Sequence, residues 1–75
     1  MYDMELFKNL LLSAKGEKTF REFAHQCGIH ESYFSLINNN YNKPPSAKIL
    51  KKIAQHSNVS FFDLLKACGY IQEVD

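Results

Sequence analysis

The chain is short, moderately apolar and nearly neutral. It has 75 residues, of which 45% are hydrophobic and 23% charged, and its formal net charge is +1. These values exclude a composition typical of disorder and leave room for one small domain over residues 1–75. Two cysteines, Cys27 and Cys68, are too few for a disulfide framework.

The N-terminal stretch MYDMELFKN carries acids where a secretory leader carries lysine or arginine. The longest apolar runs extend over only a few residues, which is too short to cross a bilayer. We therefore expect a cytoplasmic protein with no membrane partner.

The first two predicted helices are marked by their end residues. Asp3 can cap a helix that ends at Gly16, and its apolar residues recur at three- and four-residue spacing. Thr19 with Glu22 forms a capping box that opens a second helix, which Gly28 ends. The predicted inward residues of this second helix are Phe20, Phe23, Ala24 and Cys27.

Three further helices follow the same punctuation. The third is expected at about residues 31–39, ended by the asparagines at 38–40 and by the prolines at 44–45. Ser46 caps a fourth, and Ser60 with Asp63 is predicted to form a second capping box before a fifth, which Gly69 ends. No segment alternates with the period of a strand. The sequence thus predicts an all-α, compact five-helix domain with its core helices at about 3–69 and a tail at 70–75.

The junction between the second and third helices is the most informative feature. Ala24 lies four residues before Gly28, and Ile29 follows directly. Two helices that cross at a steep angle need a small residue at the crossing and a turn residue that tolerates positive φ. This combination predicts a helix-turn-helix of helices 2 and 3.

From residue 19 to residue 70 the chain resembles the Cro/C1-type (XRE) helix-turn-helix family of phage and bacterial repressors. The matching stretches are TFREFAHQCGIHESYFSLINNN, PSAKILKKIA and NVSFFDLLKACGY. The resemblance implies a repressor-like fold and sequence-specific binding of an operator in double-stranded DNA. It further implies a third helix in the major groove and a homodimer on the DNA. It implies no enzymatic activity.

By position in that family, the base-reading residues are Glu31, Ser32, Ser35 and Leu36. Short polar side chains allow close approach to base edges, a carboxylate can accept from cytosine, and leucine can pack on a thymine methyl. The residues expected to contact phosphates are Thr19, His30, Tyr33, Asn39, Asn40, Lys43 and Lys48. Four lysines and no acid lie within residues 41–52, where they can supply the attraction.

Several alternatives stay open at the level of the sequence. The polar residues of the third helix can be a solvated face, Tyr33 can be a packing residue, and Asn39 and Asn40 can cap the helix end. The same fold can also serve as a protein-interaction adaptor or antirepressor that never contacts DNA. RNA is a weaker alternative, because the aromatic residues are spent on the core.

His25, Cys27, His30 and Cys68 match no common zinc spacing, so we expect no metal and no cofactor. The chain also has no glycine-rich phosphate loop and no recognisable nucleophile and base. Tyr70 and Ile71 continue an apolar pattern after Gly69. They either fold back on the core, form a dimer contact, or lead to a further C-terminal domain or a protein partner.

Overall fold

A computed structural model describes residues 2–39 and 43–71. Over these residues the chain forms helices and no strand, which confirms the all-α class. The five helices are α1 (Met4–Lys15), α2 (Phe20–Cys27), α3 (Glu31–Asn38), α4 (Ala47–Gln55) and α5 (Phe61–Ala67). The third ends one residue before the predicted boundary, with Asn39 as its C-cap.

Side-chain oxygens cap four of the helix starts, three of them as predicted. Asp3 accepts from the Leu6 amide at 3.0 Å, and Ser46 accepts from the Ile49 amide at 3.4 Å. Thr19 and Glu22 form the reciprocal capping box. Ser60 caps α5 through a different amide from the one that a capping box with Asp63 requires. Its hydroxyl accepts from the Phe62 amide at 3.1 Å.

The core is formed by one apolar side of each helix. The largest side chains that are fully buried in it are Phe7, Phe23, Phe34, Leu11, Leu50, Ile53 and Leu64. No polar or charged residue among those described is buried with them. Burial of apolar area at about 25 cal/mol per Å² is the main stabilising contribution in a domain of this size.

The two ends of the fold meet. Helix α5 packs on both α1 and α4, and α2 packs on α3 and α4. The Asp3 amide donates to the Ala67 carbonyl at 2.7 Å, which joins the start of α1 to the end of α5. The Tyr70 hydroxyl donates to the carbonyl of Pro45 at 2.6 Å. The first residue of the predicted tail therefore folds back onto the segment that precedes α4.

Within the described ranges, none of the helices combines the length and the apolar character needed to cross a membrane.

Candidate nucleic-acid interface

The turn between α2 and α3 is a Schellman motif. Gly28 has φ 71° and ψ 31°, in the left-handed region that favours glycine. Its amide donates to the His25 carbonyl at 3.2 Å, and the Ile29 amide donates to the Ala24 carbonyl at 2.9 Å. Ala24 and Ile29 are both buried, at 1% and 8% exposure. The turn thus has a defined conformation and brings the start of α3 against α2.

Helix α3 is fixed to the core through its inward side. Phe34 and Ile37 are 1% and 3% exposed. The Phe34 ring lies 5.6 Å from the Phe20 ring and 5.9 Å from the Phe23 ring, between ring centroids. Phe20 is half-buried beneath the Lys15 ammonium, which lies 5.1 Å from its ring centroid. Phe20 therefore acts as a packing residue at the start of α2.

The outward side of α3 is a continuous exposed strip. All four residues predicted to read bases lie on it and are exposed: Glu31, Ser32, Ser35 and Leu36. Their spacing of one and four residues places them on one side of the helix. From residue 31 to residue 36 the strip is about 8 Å long, at a rise of about 1.5 Å per residue. We refer to these four residues as the α3 strip.

His30 is the N-cap of α3, and it engages one member of the strip. Its Nδ1 accepts from the Ser32 amide at 3.2 Å and lies 2.7 Å from the Ser32 hydroxyl oxygen. In the tautomer that accepts at Nδ1, the Nε2–H remains a donor that can reach an anion. The Ser32 hydroxyl then donates to the ring and keeps its oxygen lone pairs free to accept.

The sequence reasoning did not identify Arg21, which lies beside the α3 strip. Its Nε is 3.6 Å from Oε2 of Glu31, and the two side chains are 83% and 53% exposed. Arg21 is the second residue of α2, so this ion pair bridges α2 and α3 across the turn. In the sequence, the opposite charges of the two residues were the only indication of this pair. Their separation of ten residues matches neither the helix period nor the strand period.

Thr19 lies at the N-terminus of α2 with both of its predicted capping bonds present. Its Oγ1 accepts from the Glu22 amide at 3.1 Å, and its own amide donates to Glu22 Oε1 at 3.0 Å. The bond from the Thr19 amide holds the pKa of the Glu22 carboxyl below its usual value. The Thr19 hydroxyl also bonds to this carboxyl and lowers its pKa further, so a phosphate would have to compete with Glu22 for the hydroxyl hydrogen.

Two further predicted phosphate contacts, Tyr33 and Asn39, differ in exposure. Asn39 is exposed, and its amide donates to the Ser35 carbonyl at 3.0 Å. Tyr33 is half-buried and packs against the core cluster. Its phenol contributes, after burial and Cys68, to raising the pKa of Tyr2 to about 12. Asn40 lies outside the described residues.

Lysines line the segment that follows α3. Lys43 and Lys48 are both exposed, the first before the two prolines and the second in the first turn of α4. Lys51, one turn further on, is also exposed, whereas Lys52 is half-buried. These four lysines lie within ten residues, and no acid lies between residues 32 and 62, so this segment is the most basic part of the described chain.

Two surface clefts border α3. The larger, of about 440 Å³, lies at the α2–α3 junction and is lined by the Arg21–Glu31 pair with neighbouring residues of both helices. The smaller, of about 210 Å³, is mainly apolar and is lined by Tyr33, Leu36, Ile37, Lys43 and Pro44. Leu36 is 46% exposed at the edge of this smaller cleft.

The cysteines and histidines do not form a common cluster. Cys27 and Cys68 are buried free thiols, whereas His25 and His30 are exposed. Burial raises the pKa of the Cys68 thiol to about 12, and it also raises the pKa of Cys27. Over residues 2–39 and 43–71 no three groups of the metal-binding types lie together.

Comparisons with known protein families, with curated proteins and with solved structures give no match.

Proposed function

We propose that this protein is a sequence-specific regulator of transcription, of the repressor type, that binds double-stranded DNA. In this proposal α2 and α3 form a helix-turn-helix like that of the Cro/C1-type (XRE) family, and α3 enters the major groove. The protein is not an enzyme, needs no cofactor, and acts in the cytoplasm on an operator.

The observation that carries the proposal is the combination of the glycine turn at Gly28 with the α3 strip. The turn fixes α3 against α2, and Phe34 and Ile37 bury its inner side. The strip is left exposed along α3. An α-helix with its side chains is about 10–12 Å in diameter, which fits a major groove of about 12 Å width. A short polar strip of this kind lets the backbone of α3 approach the base edges closely.

The charges support a division of tasks. The strip itself contains no lysine or arginine, so α3 supplies little attraction to phosphates. Lys43 and Lys48 follow α3 and are exposed, and the exposed His30 at its start keeps Nε2–H as a donor in the tautomer that accepts at Nδ1. Contacts from such residues to phosphates supply sequence-independent affinity and fix the register, while the strip selects the bases.

So few positive charges give one copy of the protein only a modest affinity for DNA. We therefore propose that it binds a two-fold symmetric operator as a homodimer. Exposed apolar residues outside α3 can pack against a second copy of the chain. Phe61 and Phe62, at the start of α5, are 37% and 57% exposed, and Tyr70 is 47% exposed.

Selection from a random duplex library, followed by titration of the best duplex at several salt concentrations, tests the proposal. We expect an enriched motif with two-fold symmetry, and an affinity whose logarithm falls linearly with the logarithm of salt concentration. A scrambled duplex of the same composition is the control. Failure to enrich any motif would overturn the proposal.

A second candidate is a protein-interaction adaptor or antirepressor with the same fold. The apolar cleft beside Leu36 favours it, because an exposed leucine next to Tyr33 and Pro44 can accept an apolar side chain of another protein. An adaptor would show no salt-steep binding to duplexes. The titration described above therefore separates the two candidates.

A further inference from the structure

We propose that Arg21 is a base-reading residue specific for guanine and that Glu31 positions it. The inference rests on the proposed function and makes it more specific, because it assigns a base and changes the role of Glu31. A carboxylate alone on the α3 strip could read only a donor such as the cytosine amine. An arginine held beside it reads the opposite kind of base edge.

The fold brings the two side chains together at the edge of the α3 strip. Arg21 lies in the first turn of α2, Glu31 is the first residue of α3, and the turn at Gly28 folds one helix end toward the other. Both line the larger cleft, at the end of the strip where α3 begins. At 83% exposure the Arg21 side chain projects from the surface and is free to enter a groove.

The atoms in contact matter for what remains available. Glu31 approaches Arg21 at Nε, 3.6 Å from Oε2, which is an ion-pair distance, so its charge attracts the guanidinium on the side of the nitrogen nearest the chain. The two terminal nitrogens form a planar fork, which is the shape that bonds guanine O6 and N7 together. Glu31 thus directs the fork without occupying it.

The pair also accounts for a negative residue at the start of a helix that faces DNA. An isolated Glu31 would be repelled by phosphates unless a base matched it. Beside Arg21 the charge of Glu31 is offset within the pair. Because an exposed ion pair contributes little to folding, removing either partner leaves the domain folded. A change in the selected DNA motif can then be assigned to the lost side chain.

The experiment is random-library selection on the full chain and on the variants Arg21→Ala, Arg21→Lys and Glu31→Ala. We expect the unchanged protein to select a guanine at one position of each half-site, with a preference of about tenfold or more. Arg21→Ala should lose that preference and keep the others. Arg21→Lys should keep overall affinity but lose the preference, since it lacks the fork. Glu31→Ala should weaken the same position only.

Lys51→Ala is the matched control, because it removes one exposed positive charge from α4 without touching the pair. It should leave the selected motif unchanged. A motif for Arg21→Ala identical to that of the unchanged protein would overturn the inference while leaving the proposed function standing. A change with Glu31→Ala at a position that Arg21→Ala does not affect would also overturn it. If the unchanged protein selects no motif, the proposed function itself fails.

Discussion

Helices α3 and α4 are neighbours in the chain and similar in length, with eight and nine residues, yet they expose opposite kinds of surface. The exposed side of α3 has small polar residues and a leucine, whereas that of α4 has lysines. Both are held by two buried apolar residues, Phe34 with Ile37 and Leu50 with Ile53. Under the proposed function, this difference puts base selection and attraction to phosphates on separate elements, so a mutation can change one without the other.

The largest effect is expected from removing Phe34, one of the two buried side chains that hold α3 in the core. Phe34→Ala should lower the free energy of unfolding by about 3–5 kcal/mol, because it deletes a fully buried ring and leaves a cavity. The ring contacts both Phe20 and Phe23, so the loss involves α2 as well as α3. Urea unfolding measures it. Ser35→Ala, on the exposed side of the same helix, is the control and should change stability by less than about 0.5 kcal/mol.

Removing positive charge from the segment that follows α3 tests the role assigned to the lysines. The double change Lys43→Ala with Lys48→Ala should weaken binding to every duplex alike, by about 30-fold at 0.15 M salt, since two phosphate contacts are lost. The slope of log affinity against log salt should fall by about 2. Titration of selected and scrambled duplexes gives both quantities. A loss confined to the selected duplex would contradict the assignment of these lysines to phosphates.

The turn that sets α3 against α2 is the next target. Gly28→Ala should cost about 1–2 kcal/mol, because an alanine is strained at a φ of 71°. Among the described residues, apart from the two chain neighbours of Gly28, no atom lies within 4 Å of an added Cβ, so the cost comes from backbone conformation and not from a clash. Thermal unfolding measures it. Gly28→Asn is the matched control, since asparagine tolerates this region better and should cost less. Equal losses in the two variants would show that the left-handed conformation is not the cause.

The smallest expected effect compares the caps of α2 and α4. Thr19→Ala should cost about 1 kcal/mol. Ser46→Ala should cost less, because the Ser46 cap bond is longer, at 3.4 Å against 3.1 Å, and of the two caps Thr19 belongs to a capping box, in which its amide also donates to the Glu22 carboxylate. Urea unfolding of the two variants side by side gives the difference. A larger loss for Ser46→Ala would contradict this ranking.

The helices could be predicted from the sequence because their signals are local. Asp3, Thr19 and Ser46 lie within three residues of the amides they cap, and Gly28 adopts the left-handed conformation expected after a helix. The same local reasoning was wrong in detail at Ser60. Two amides lie within reach of that hydroxyl, and the bond formed is the one to Phe62.

Contacts across turns could not be predicted, because no periodic pattern marks them. The pair of Arg21 with Glu31 depends on how tightly Gly28 turns the chain. The bond from Tyr70 to Pro45 depends on where the end of α5 lies relative to the start of α4. The exposed strip on α3 could be predicted, because the helix period determines which residues face outward. The partner of Glu31 could not, so the sequence predicted an isolated carboxylate at that position. The DNA-binding roles of the strip and of the lysines stay predictions.

The hydrogen bond between Asp3 and Ala67 has a consequence for the order of events at the ribosome. Helix α1 is synthesised first, but the helix on which it mainly packs is synthesised last. Until Ala67 has left the exit tunnel, Phe7 and Leu11 lack much of the surface that covers them in the finished fold. A nascent chain stalled before α5 would therefore expose an apolar helix to chaperones, and the domain would form in one late step rather than helix by helix.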